Sequence, residues 1–189
     1  MVKINAVTTR TGDDGTTGLV DGSRLDKSAP RMDAIGDVDE TNSSVGLARV
    51  TLQTGMLDDM LGRVQNDLFD LGADLATPGE IEGALRIAAA QTDRLEADMA
   101  QLLADLTPLD SFILPGGEST AARLHLARTV ARRAERKVVE LDRTQSGDAK
   151  VNPHALAYVN RLSDFLFVAA RWCNGMGRDD VKWVPGQNR

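Results

Sequence analysis

The segment ARTVARRAERKVVEL (127–141) sets Arg128, Arg132 and Arg136 four residues apart, along one face of any helix that carries it. Arg133 and Lys137 form a second row beside the first, and Glu135 borders the row of Arg132. Guanidinium groups aligned in this way repel one another unless something negative lies among them. The planar fork of arginine is also the side chain best shaped to grip a phosphate with two hydrogen bonds. The chemistry indicated is therefore the holding of a polyanion. A plainer alternative is a solvated basic face on which Glu135 makes ordinary surface pairs. On pattern alone that alternative is the better supported of the two.

Four other places could contribute. TRTGDDGTTG (9–18) is rich in glycine, threonine hydroxyls and free backbone N–H groups, the composition of a loop that wraps phosphates. It lacks the Gly-Lys-Ser/Thr ending of a P-loop and the Asp spacing of an EF-hand. Lys27 follows close behind as a possible phosphate contact, or as a plain surface lysine. Asp39, Asn42 and Gly46 share a face within DVDETNSSVG, where Asp39 is a natural partner for an arginine and the small residues let another backbone approach. Asn160, Asp164 and Arg171 share a face further on, among apolar neighbours. Phe112, in FILPGG, is a loop aromatic that either plugs the core or forms a pocket wall. Only His125 and His154 are histidines, and neither lies in a Glu-x-x-His pattern or beside an evident nucleophile. A di-iron centre and Ser- or Cys-based catalysis are accordingly set aside.

Something must position these groups. The chain has 189 residues, enough for one domain with a sizeable core. Hydrophobic residues make up 42% but aromatics only 4%, which suits packed helices of Leu, Ala, Val and Met. The lone cysteine, Cys173, excludes an internal disulfide and any multi-cysteine metal site. MVKINAVTTR lacks the apolar run of a secretory signal, and no window is long enough for a membrane span. The expectation is a cytoplasmic protein. A net charge of −6 argues against a nucleic-acid binder.

Residues 1–29 read as an ordered arm without strands. Pro30 opens a first helix that runs to about Gln53. A second carries Leu57, Leu61, Val64, Leu68, Leu71 and Leu75 at spacings of three and four. A third spans 84–106, with Leu85, Thr92, Leu95, Met99, Leu102 and Leu106 inward. A fourth spans 119–142. Asn152-Pro153 starts a fifth that ends near Asn174. Residues 176–189 read as an exposed tail. The fold class is all-α, an up-and-down five-helix bundle with an N-terminal loop, in a single domain.

The ordered set TRTGDDGTTG, Lys27, AIGDVDETNSSVG, FILPGG, ARTVARRAER and YVNRLSDFLF resembles the PduO-type ATP:cob(I)alamin adenosyltransferases over residues 8–175. The resemblance implies a homotrimer with active sites between subunits. It implies transfer of the 5′-deoxyadenosyl group of ATP to cob(I)alamin, with Mg²⁺ assisting and triphosphate leaving. Thr9, Arg10, Thr11 and Gly12, with Thr17 and Gly18, would wrap the triphosphate, and Lys27 would contact it. Arg132, Arg133, Ala134, Glu135 and Arg136 would hold the nucleotide, with Arg132 facing the triphosphate. Asn160 would bind ATP, Asp39 would pair with Arg128 across the subunit interface, and Phe112 would close the lower face of the corrin ring. A reductase and an adenosylcobalamin-dependent mutase are the implied partners. Asp14 stands where many relatives have lysine, and Thr41 where leucine is usual. The alternatives are a non-catalytic carrier of nucleotide or cofactor, and a structural bundle.

Overall fold

In a computed structural model, which describes residues 8–189, five helices carry the chain; residues 1–7 of the expected arm lie outside the described residues. Proline and asparagine set two helix starts. Pro30 begins α1 (Pro30–Arg49), where its missing N–H costs no hydrogen bond. Asn152 caps α5 (Pro153–Cys173), its side-chain oxygen accepting from the His154 N–H at 3.0 Å. Between them lie α2 (Met56–Leu75), α3 (Ala89–Leu103) and α4 (Ser119–Thr144). α1 packs against α2 and α4, and α5 packs against α4 and α3. Arg63–Asp98 and Arg94–Asp67 ion pairs, at 2.8 and 2.6 Å, join α2 to α3. The fold is the up-and-down bundle that the periodicity predicts.

The six apolar residues of the α2 stripe are all buried, as are Val130, Ala131, Ala134, Val138 and Leu141 on α4. Tyr158 and Phe165 of α5 are the bulkiest fully buried side chains. Tyr158 donates to Asp67 at 3.1 Å, so its hydroxyl is satisfied within the core. No helix among the described residues is long and apolar enough to cross a membrane.

Four boundaries differ from the sequence reading. First, the arm contains an antiparallel hairpin, β1 (Thr16–Gly18) and β2 (Arg24–Asp26), in the register Thr16 with Asp26 and Gly18 with Arg24. Strands of three residues are too short to show alternation. Second, α1 stops at Arg49, and 50–52 form a turn instead of a last helical turn. Third, α3 begins at Ala89, not 84, and Leu85 is exposed. Asp74 competes for this stretch. Its carboxylate accepts from Arg86 Nη1 at 2.7 Å, from the Ile87 N–H at 2.8 Å and from Asn152 Nδ2 at 2.8 Å. Those bonds hold 84–88 out of a helix and bury Ile87. Fourth, the tail is tied down, as described below.

Asp74 thus joins the end of α2 to the loop before α3 and to the cap of α5. Its side chain is 2% exposed, so removal would leave the Ile87 N–H without its acceptor and break the ties to Arg86 and Asn152. Asp74→Ala is expected to lower the unfolding free energy by about 3–5 kcal/mol, measured by urea denaturation.

Candidate functional site

Residues adjacent on a helix point about 100° apart, and this separates the two rows of α4. Arg132 is exposed and makes no ion pair among the described residues. With Glu135, Arg136, Val139, Glu140, Arg143 and Thr144 it lines an open groove of about 480 Å³. Asn160 of α5 donates from Nδ2 to Glu135 Oε1 at 3.0 Å, which fixes the carboxylate on the groove floor. Arg136 donates to the Arg132 carbonyl at 2.9 Å.

Arg133 is directed the other way. It lies 3.4 Å from Asp37 and also pairs with Glu40, both on α1. The hydrogen bond it donates to Glu40 leads the effects that raise the guanidinium's proton affinity. Lys137 likewise reaches Asp33 and Glu140, at 3.4 and 3.1 Å. Ala134 is buried, its side chain packed in the core, so only its neighbours reach the surface.

Arg128 is half-buried, and its Nε is buried without a partner. Burial, and then the charge of Arg132, push its affinity for a proton down. Asp39 is exposed on α1 and makes no ion pair within the described chain. One turn before Arg128, His125 is buried against Phe167, with ring centroids 6.1 Å apart and Nδ1 unpartnered. Burial foremost, then Arg128, lowers its pKa. A row of donors left without acceptors is costly unless another surface supplies them.

The hairpin arm forms a second concavity of about 370 Å³. Thr9, Arg10, Thr11, Gly12, Thr17, Gly18 and Lys27 all line it. Lys27 donates to the Gly12 carbonyl at 2.7 Å, and a Cβ at Gly12 would stand 2.9 Å from that ammonium nitrogen. Arg24, which the motif reading passed over, also lines it. It donates to the Thr11 carbonyl at 2.6 Å and to Thr16 Oγ1. Asp14 accepts from the N–H and hydroxyl of Thr16, at 2.9 and 2.8 Å, and these bonds hold its carboxyl below the usual pKa. Asp14 is thereby turned into a turn-former. This hollow and the arginine groove share no lining residue.

Phe112 is 78% exposed, so it does not plug the core. The tail lies beside it. Trp183 N donates to the Phe112 carbonyl and Leu114 N to the Val181 carbonyl, both at 2.8 Å. The Phe112 and Trp183 rings meet edge to face at 6.2 Å. Leu114, Val181 and Val184 are exposed around them, so loop and tail together present an apolar ledge. The signal for it was the pair Trp183-Val184 in an otherwise polar tail. Arg171, grouped by periodicity with Asn160 and Asp164, is instead buried and bonded to Asp180 of the tail at 2.7 Å. Asp164 does hold an arginine, Arg161, at 2.9 Å. Burial pushes the Cys173 thiol up to about 12.

A helical bundle with a short hairpin arm and two separate concavities lined by cationic side chains is the class this geometry defines. Comparison with known proteins narrows it. Residues 7–173 match the cobalamin adenosyltransferase family, and the chain belongs to that family. A corrinoid adenosyltransferase of Mycobacterium tuberculosis is 46% identical over 195 residues, covering 100% of this chain and 97% of the relative. A cobalamin adenosyltransferase of Cupriavidus metallidurans is 45% identical over 185 residues, covering 96% and 95%. Among solved structures, a variant PduO-type ATP:corrinoid adenosyltransferase from Lactobacillus reuteri, complexed with cobalamin and ATP, superposes with a TM-score of 0.85. Its identity is 36%, over 94% of this chain and 99% of that one.

Proposed function

We propose that this member of the family transfers the 5′-deoxyadenosyl group of ATP to cob(I)alamin, giving adenosylcobalamin and triphosphate. The observation that carries the reading is Arg132, without an ion pair among the described residues, in a groove whose lining Glu135 is held by Asn160. Cobalt(I) is itself a strong nucleophile, so the protein has none to provide. A Co–C bond forms at the ribose C5′ as the C5′–O bond breaks, and the electron pair leaves with the triphosphate. What the chain contributes is alignment and stabilisation of the charge that develops on the leaving group. Arg132 and Arg136 face that charge. Glu135 and Asn160 hold the nucleoside side of the groove. The hairpin wraps the triphosphate through Thr9, Thr11, Thr17 and the N–H groups near Gly12, with Lys27 released from the Gly12 carbonyl to reach an oxygen. Phe112 and the ledge cover the lower corrin face and keep water from the cobalt.

Because hairpin hollow and arginine groove are separate in one protomer, the hairpin of one copy completes the groove of the next. A homotrimer with Asp39 bound to Arg128 across each seam gives the stranded guanidinium its acceptor. Asp39→Asn is expected to weaken assembly and activity together, read by sedimentation and by turnover. An unchanged trimer with an unchanged rate would remove Asp39 from the site. The described residues contain no group of three or more His, Cys, Asp or Glu that could hold a metal ion. In this reading Mg²⁺ enters as part of the ATP complex. A reductase supplies the cobalt(I) state and an adenosylcobalamin-dependent mutase takes the product, in the cytoplasm. The test is direct. Protein, ATP, Mg²⁺ and anaerobically reduced cobalamin are mixed, and formation of adenosylcobalamin no faster than without protein would sink the reading.

A further inference from the structure

We propose that the buried ion pair between Arg171 and Asp180, with Asn174, is the device that positions Phe112 and the apolar ledge, making Asp180 a positioning residue for the corrin half of the reaction. The inference rests on the reading of Phe112 as the cover of the lower corrin face.

The ledge is made of two pieces of chain that have little hold on the bundle of their own. Residues 112–114 lie in the loop between α3 and α4, and 181–183 in the tail. The two are joined to each other by the two backbone hydrogen bonds given above and by Ser111 Oγ donating to the Trp183 carbonyl at 3.1 Å. Most of their side chains face solvent. A ribbon joined only to itself would drift as a unit. Phe112 has to stand at a fixed height beneath a flat macrocycle, and an error of about 1 Å in such placement can cost a hundredfold in rate.

Asp180, immediately before the ribbon, provides the anchor. One carboxylate oxygen accepts from Arg171 Nε at 2.7 Å, and the other from Asn174 Nδ2 at 3.0 Å. Arg171 and Asp180 side chains are each only 5% exposed, an unusual depth for a charged pair. Both anchoring residues also hold the other strand of the ribbon at its roots. Arg171 Nη2 donates to the Thr107 carbonyl at 2.8 Å, before Phe112, and Asn174 Oδ1 accepts from the Glu118 N–H at 3.3 Å, after it. One buried cluster therefore fixes the tail and both ends of the Phe112 loop to the end of α5.

The backbone is shaped around the cluster. Gly117 has φ +100°, and a Cβ there would stand 2.3 Å from Asn174 Oδ1. Gly177 has φ +79°, and a Cβ there would stand 2.6 Å from Arg171 Nη2. Glycine at both positions lets the chain close over the polar atoms. Charged pairs at this depth are held for geometry more than for net stability, since apolar replacements are often as stable.

The experiment uses the full chain carrying Trp172→Phe, so that Trp183 is the lone tryptophan and its emission anisotropy reports the ledge. Asp180→Asn is compared with a paired replacement, Arg171→Met with Asp180→Leu, which strands no buried charge should the single variant fold poorly. The expected result is lower Trp183 anisotropy, with kcat/KM for cob(I)alamin reduced roughly ten- to a hundredfold and ATP affinity kept. Restoring the carboxylate as Asp180→Glu should recover part of the loss. A ledge that loosens with no change in kcat/KM for the corrinoid would overturn the proposal, as would equal losses toward ATP and corrinoid. If Phe112→Ala leaves turnover untouched, it is the underlying reading of Phe112 that fails, and the two failures are told apart.

Discussion

Arg132→Ala is expected to lower the rate of adenosyl transfer by about a hundred- to a thousandfold, while Arg133→Ala leaves it close to that of the unaltered protein. The two residues are neighbours of identical chemistry, and their difference is one of surroundings. Arg132 faces the groove with no ion pair among the described residues, so its charge is available to a leaving triphosphate. Removing it from a preorganised site takes away stabilisation that water cannot restore in time. Arg133 already serves Asp37 and Glu40 on α1. Its loss costs ion pairs at the edge of the bundle, which contribute little to stability. Steady-state kinetics of both variants, with ATP affinity by calorimetry, decide the matter. Equal defects would show that the groove does not discriminate between the rows.

Phe112→Ala is expected to reduce kcat by about a hundredfold with ATP affinity and melting temperature nearly unchanged. An aromatic ring with 78% of its surface exposed contributes little to folding, so a loss of activity cannot be passed off as a loss of structure. The ring lies on the ledge with Trp183 and is not among the residues that line the arginine groove. Its effect should therefore fall on the corrinoid. The absorption spectrum of bound cob(II)alamin is the independent reading: with the ring gone, water or another lower ligand returns to cobalt. A parallel fall in ATP affinity would count against a place beneath the corrin.

Much of the bundle is visible in periodicity because burial and helix geometry act locally. The α2 stripe and the Asn152 cap of α5 need nothing beyond their own segments. The start of α3 and the hairpin are misread because their partners lie outside the segment. Asp74 reaches forward to Arg86 and Ile87 and unravels what looks like the first turn of α3. The hairpin is held by cross-strand bonds in strands too short to carry a pattern. For the site, spacing places Arg128, Arg132 and Arg136 on one face, yet it cannot distinguish Arg132 from Arg133, since that depends on which acids α1 presents. Arg171 falls on the face of Asn160 by helical arithmetic. Three turns further along, that face has passed from the open flank into the closed end of the bundle, where Asp180 waits. Trp183 and Val184 are legible only in retrospect, as apolar residues with no reason to be in a solvated tail.

The half-buried thiol of Cys173 has a practical consequence. With desolvation pushing its pKa up to about 12, it is overwhelmingly the unreactive thiol at neutral pH. It is also the sole cysteine. Thiol-directed alkylating agents therefore have little thiolate to react with at neutral pH. The natural chain is, in effect, a blank background for chemical labelling: one cysteine placed on the ledge would accept a fluorophore or spin probe selectively, with no residue first having to be removed.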